Sequence, residues 1–352
     1  MRTTLRAIAF APLFALALVA CGGPDKPTQT GSLDPPLPTG PTTPRGPTGP
    51  GGSKQAAPAS DSPDVARGVA LFEKNDLEGA AAAFESAIKA NAKDAVAHFN
   101  LGLTLEGMRK PGPAEKEYQE ALRLRPDFAD VAVALSTLYL NAEPPRADEA
   151  ASVARAGLEK HPEVGGLHFN LAVALATKSD QAGATKEFED ALVRTPNDAN
   201  ARFTYGHWLG VWGLKDKASE QLKLALKSTD VGVLAAVGHE MLLLRDAAGC
   251  VAAYDKAIAT KDMAELRTER ALCKLAMKDE DGALADLKAA VAADAKYALA
   301  HYWLAMRFAA AGKLVDAIAE LDAYVKLAPD GAKAKDAAAH KKELEAKLKT
   351  KK

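Results

Sequence analysis

Residues Ala95 to Phe128 read AVAHFNLGLTLEGMRKPGPAEKEYQEALRLRPDF. Two short helical patterns, broken near Arg109-Lys110-Pro111, fill this stretch. Gly102, Ala114 and Ala121 lack bulk, so two antiparallel helices can approach to roughly 8–10 Å. Tyr118 then reaches into the gap they leave. Pro126 cannot continue a helix and resets the chain. The frame recurs. The first small residue of the second helix falls at Ala80, Ala114, Ala150, Ala184, Ala218, Cys250, Ala283 and Ala317, in steps of 34, 36, 34, 34, 32, 33 and 34. The bulky residue four later is Phe84, Tyr118, Phe188, Leu222, Tyr254, Leu287 or Leu321. A small residue follows three beyond at Ala87, Ala121, Ala191, Ala225, Ala257 and Ala290. The third unit departs, with Ala154 and Gly157 in those two places. One such triplet carries little weight, but eight units in register define a repeat covering residues 61–330.

The stretch resembles the tetratricopeptide repeat (TPR), a helix–turn–helix unit of about 34 residues. Leu101, Gly102 and Leu105 stand where the family's first helix carries Leu, Gly and an aromatic. Ala114, Tyr118, Ala121 and Pro126 match its second-helix Ala, aromatic, Ala and Pro. The resemblance implies an all-α fold, a TPR α-solenoid that winds as a right-handed superhelix of about eight repeats. It also implies that each first helix lines a concave groove through its second, fifth, sixth, ninth and twelfth positions. Those positions give Phe99, Asn100 and Leu103, then Val133, Thr137 and Leu140, then Phe169, Asn170 and Val173. Phe203 and His207 follow, and the eighth repeat adds Tyr302, Trp303 and Met306. Basic residues are scarce there, which argues against the carboxylate clamp of chaperone-binding members. The expected partner is a polypeptide held in this groove. The aromatic positions are read two ways, as a binding ladder or as an extension of the core.

Departures from the frame mark weak points. Asn141-Ala142-Glu143-Pro144-Pro145-Arg146 lengthens the third inter-helix turn by two residues, where proline is tolerated. Repeats six and seven are shortened and lack the terminal proline, so looser stacking is expected there. Ser62-Pro63-Asp64 reads as a helix start. Residues 331–352 hold eight lysines against Asp336, Glu343 and Glu345, with Ala337, Leu344 and Leu348 as a thin apolar stripe. They are expected to form a capping helix with a solvated outer face.

The N-terminus carries a different signal. Arg2 and Arg6 precede an apolar run from Ala7 to Ala20, too short for a spanning helix of ~20 residues. A charged start and a short apolar core make a secretory signal over residues 1–20. Leu18-Val19-Ala20-Cys21 resembles the bacterial lipobox, which implies a lipidated Cys21 as first residue of the mature protein. Three acyl chains would anchor it firmly, since two already suffice. Gly22 rather than Asp after the cysteine favours the outer membrane. Residues 21–60 are then a Pro/Gly-rich linker. Residues 22–63 hold 11 of the chain's 20 prolines and no aromatic residue, a composition that cannot bury enough surface to fold.

Net charge is −1, from 45 basic and 46 acidic residues, so no electrostatic footprint for nucleic acid exists. No phosphate loop, Gly-x-Ser-x-Gly or His-Glu-x-x-His occurs. No catalytic residue, cofactor or small-molecule substrate is expected. His98, His168 and His301 share one repeat position and read as packing residues. His207 and His239 share the ninth position, and two histidines do not complete a zinc site. Cys250 and Cys273 lie in regions that antiparallel packing brings together. An oxidising envelope permits a disulfide, but the reading favours two small buried thiols. The function implied is a non-enzymatic scaffold of a bacterial envelope complex, such as a pilotin-like factor for a type IV pilus secretin or a motility component. The alternative is an accessory subunit of a peptidoglycan or cytochrome-assembly enzyme.

Overall fold

The computed structural model describes residues 62–350. The signal segment, Cys21 and nearly all of the linker lie outside them. Among the described residues there are seventeen α-helices and no strand. Sixteen form eight hairpins: α1 (Pro63–Glu73) with α2 (Leu77–Ala90), α3 (Ala95–Gly107) with α4 (Pro111–Leu124), α5 (Ala129–Leu140) with α6 (Ala147–Lys160), α7 (Gly165–Thr177) with α8 (Gln181–Arg194), α9 (Ala199–Val211) with α10 (Lys215–Ala225), α11 (Val231–Leu243) with α12 (Ala247–Thr260), α13 (Ala264–Ala276) with α14 (Glu280–Ala293), and α15 (Ala298–Ala310) with α16 (Leu314–Leu327). A final helix, α17, spans Ala334–Thr350.

Local chemistry explains the punctuation. Ser62 caps α1, accepting from the Val65 amide, with Pro63 at the first helical position. Asp76, Asp180, Asp246 and Asp279 start α2, α8, α12 and α14, each accepting from the amide of a glycine three residues on. Just before the second helices of all hairpins but the third, the chain turns through the left-handed region at Asn75, Arg109, Ser179, Arg245 and Lys278, and at Gly213 and Gly312. Only the glycines adopt that turn without steric cost. The third turn is the exception, and there Arg146 holds the longer loop by pairing with Glu115 at 2.8 Å and Glu149 at 3.0 Å.

The frame residues are the core. All eight small residues from Ala80 to Ala317 are fully buried, and so are Tyr118, Phe188, Leu222, Leu287 and Leu321. A Cβ on Gly102 would collide with the Tyr118 ring, and one on Gly238 would stand 2.7 Å from Tyr254. These glycines are required by close approach. In the third repeat Gly157 leaves room for Leu167 and Ala132 instead. Consecutive repeats share this core, whose two large clusters meet inside α10, Ala218 in one and Leu222 in the other, beside a small third one of Ala264, Ala290 and Ala300. Ala337 and Leu344 of α17 close the second cluster.

Two expectations change. Cys250 of α12 and Cys273 of α13 form a disulfide, their Cα atoms 5.8 Å apart. The two-thiol reading is corrected: α12 begins at the point where α13 passes late in its course, so the two small positions face each other. Stacking is also not loosest at repeats six and seven. α12 lies against α13 as closely as α2 lies against α3, and the sparse junctions are α8–α9 and α10–α11, on either side of repeat five.

Candidate functional site

The first helices of the eight hairpins, α1 to α15, make the inner wall. α1 approaches α3, α5 approaches α7, and α9, α11, α13 and α15 follow one another, whereas even-numbered helices make no comparable approach. A stack whose first helices touch while its second helices splay must curve, with the first helices inside. This wall carries the positions expected to bind a partner. Leu103, Val173, Phe203 and His207 are half-buried on it. Phe99, Asn100, Phe169, Asn170, Tyr302 and Trp303 are buried. Phe99 packs on Phe128 at 5.1 Å and Tyr118 at 5.9 Å. Phe169 packs edge-on to Phe188 at 6.0 Å, and Phe188 stacks on Tyr205 at 5.0 Å. Tyr302 lies between Trp303 at 5.2 Å and Tyr324 at 5.6 Å. These rings sit in the interfaces between helices.

The asparagines act within the stack as well. Asn170 Nδ2 is within 3.0 Å of Val133 O, Ser136 Oγ and Thr137 Oγ1, so it ties α7 to the preceding first helix. Asn100 Nδ2 donates to Val96 O at 2.9 Å. The open stretch of wall is in repeats five and six. There Phe203 and His207 are joined by Trp208 and Trp212, whose rings are 6.0 Å apart, and by the exposed Val211. His207 Nδ1 is 3.0 Å from the buried Glu240 of α11. Burial holds His239, next along the wall, below the usual imidazole range.

Family models described as tetratricopeptide repeats match residues 68–108, 95–128, 146–199 and 268–332. The chain belongs to the tetratricopeptide repeat family. Repeats five and six lie mostly between the matched spans. Cellulose synthase 2 operon protein C of Komagataeibacter xylinus is 29% identical over 161 residues, which is 41% of this chain and 12% of that protein. The chain thus spans only a small part of that relative. Yeast Tom70 superposes with a TM-score of 0.53 at 13% identity, over 84% of this chain and 67% of that one. PilW, a type IV pilus biogenesis factor, gives 0.49 at 16% identity, over 56% and 91%. At 13% identity the likeness to Tom70 concerns the fold alone.

One TPR feature escaped the sequence reading. His98, His168 and His301 do pack, but each also closes a polar clasp. Their Nδ1 atoms stand 2.6 Å from Glu117, Glu187 and Glu320, nineteen residues on in the second helix. Their Nε2 atoms face the carbonyls of Ala92, Pro162 and Ala295 in the preceding loop. Arg202 and Gln221 fill the same places in repeat five, 2.8 Å apart. The clasp ties first helix, second helix and inter-repeat loop, and the recurrent His-to-Glu spacing was its signal. His168, Glu187 and Asp190 also bring ligand atoms within 4.8 Å of one another, a set that could hold a metal ion. Lys186 already stands 3.2 Å from Glu187 and 2.8 Å from Asp190. The clasp of His301 has Ala323 where this one has Asp190. The set is read as part of the clasp.

Proposed function

We propose that this TPR protein is a lipid-anchored adaptor of the bacterial envelope that holds a partner polypeptide along its inner wall. The observation that carries the reading is the contrast within that wall. Repeats two, four and eight bury their aromatic positions, whereas repeat five leaves Phe203 and His207 half-open beside Trp208 and Val211. A half-open aromatic strip on a rigid curved support suits a peptide or helix, since apolar anchors supply affinity and neighbouring polar groups set orientation. Cys21, outside the described residues, would fix the chain to a membrane, facing the periplasm from the outer membrane, with residues 21–60 as tether. No catalytic role or cofactor is assigned. The accessory-subunit alternative draws support from the relative named for a cellulose synthase operon, and the identity of the captured partner separates the two.

The test is the double variant Phe203→Ser with His207→Ala in the full chain. Capture of partners from solubilised envelope and thermal melting are measured side by side. Capture should weaken by ~2 kcal/mol or more, as for a lost aromatic anchor, with melting nearly unchanged. A large melting loss assigns the pair to the core. Unchanged capture puts the partner elsewhere.

A further inference from the structure

Three buried side-chain atoms among the described residues have no hydrogen-bond partner: Thr204 Oγ1, Glu269 Oε2 and Arg307 Nε. Thr204 and Glu269 share one repeat position, the sixth of the first helix, which Asn100 and Asn170 also occupy. In repeat four that position is satisfied, because Asn170 reaches across to Val133, Ser136 and Thr137 of the preceding first helix. The residues at the corresponding register positions of α11 are Ala235, Gly238 and His239. None of the first two offers a donor, and burial disfavours the charged form of His239.

The cations of its own helix are committed elsewhere. Arg270 is bidentate to Asp286 at 2.8 and 2.5 Å and bonds Asp255 at 2.6 Å. Lys274 lies 2.8 Å from Asp286, and Arg267 pairs with Asp262. The other ionisable groups around Glu269 are Tyr254 of α12 and Tyr297 ahead of α15, both held above the usual phenol range by burial and by the carboxylate itself, with Glu265 one turn back. Among the described residues nothing neutralises the carboxylate. The fifth position, an aromatic in repeats two, four, five and eight, is Ala235 in repeat six and Thr268 in repeat seven. Ala235, Ala236 and Glu269 remain half-buried, so this part of the wall carries small side chains and the unpaired acid.

We infer that the inner wall of repeats six and seven receives one lysine or arginine side chain of the bound polypeptide, with Glu269 as its counter-ion. The aliphatic stem would lie along Ala235 and Ala236. This deepens the adaptor reading and rests on it. Burial pushes the Glu269 carboxyl up to about 7. A bound cation favours the ionised form, so binding releases a proton wherever the free carboxyl is protonated. Affinity for the cationic residue is therefore full above that range and falls as pH drops through it.

The probe is a bead-bound hexapeptide library with one position fixed as lysine, arginine, norleucine or glutamate and the others randomised. Full-length wild type and Glu269→Gln are compared at pH 6 and pH 8. At pH 8 the wild type should favour lysine and arginine beads over norleucine by about tenfold, the scale of one charge-assisted hydrogen bond. That preference should shrink several-fold at pH 6 and vanish in Glu269→Gln. Melting at pH 8 checks the fold: the neutral variant should match or exceed wild type, because the ionised carboxyl is the disfavoured form. Peptide binding without cation preference, or an undiminished preference in the variant, overturns the inference and leaves the adaptor reading standing. A marked melting loss in the variant overturns it by assigning the charge to the fold. Absence of any peptide binding overturns both.

Discussion

At the scale of single residues, the histidine clasp makes a testable contribution to stability. His168 is 7% exposed, and its two ring nitrogens meet a carboxylate at 2.6 Å and a carbonyl at 3.0 Å. Replacing it with alanine removes both contacts and leaves Glu187 beside a void. Loss of a buried hydrogen bond to a charged group costs ~1–3 kcal/mol. His168→Ala should therefore lower the urea midpoint clearly. A double-mutant cycle with Glu187→Ala should give a coupling of ~1 kcal/mol. A histidine that only fills space would show the first effect and no coupling. Because the clasp recurs in repeats two and eight, His98→Ala and His301→Ala should behave alike.

At the scale of elements, the disulfide is a covalent link between successive repeats. Cys250 opens the second helix of repeat six, and Cys273 lies late in the first helix of repeat seven, 23 residues apart. A loop of that size closed by a disulfide is worth ~3 kcal/mol in the chain-entropy account. The Cys250→Ala, Cys273→Ala variant should unfold at lower denaturant than oxidised wild type. Reduced wild type should fall close to the variant. Labelling of the unfolded, unreduced chain should find neither thiol; two reactive thiols would remove the link.

At the scale of the whole molecule, none of the described helices is long and apolar enough to cross a membrane. Attachment is proposed to rest on Cys21, on the strength of the Leu18-Val19-Ala20-Cys21 motif. Cys21→Ser should leave the chain unlipidated and move it out of the membrane fraction after a high-salt wash, since three acyl chains supply far more binding than one. Retention in that fraction would place the anchor elsewhere. The curved stack would then present its open strip at repeat five to partners. The sparse helix junctions flank the same repeat, so the strip sits where neighbouring repeats hold it least.

Much of this was determined by the sequence alone. Small residues at Ala80 through Ala317 with bulky partners four later specify close helix pairs, because only that spacing lets two helices touch and fills the gap between pairs. The number of repeats follows from the same local rule, and the C-terminal helix from a lysine-rich face with a thin apolar stripe. The side chains of the wall were decided by tertiary structure. Phe99 and Phe203 hold the same repeat position, yet one is buried against Phe128 and the other is half-open. The difference lies in what neighbouring helices place opposite them, which no single repeat encodes. Cys250 with Cys273, His168 with Glu187, and the isolation of Glu269 depend likewise on partners brought together by stacking. Burial and pairing are properties of that juxtaposition, so they became legible only once the repeats were assembled.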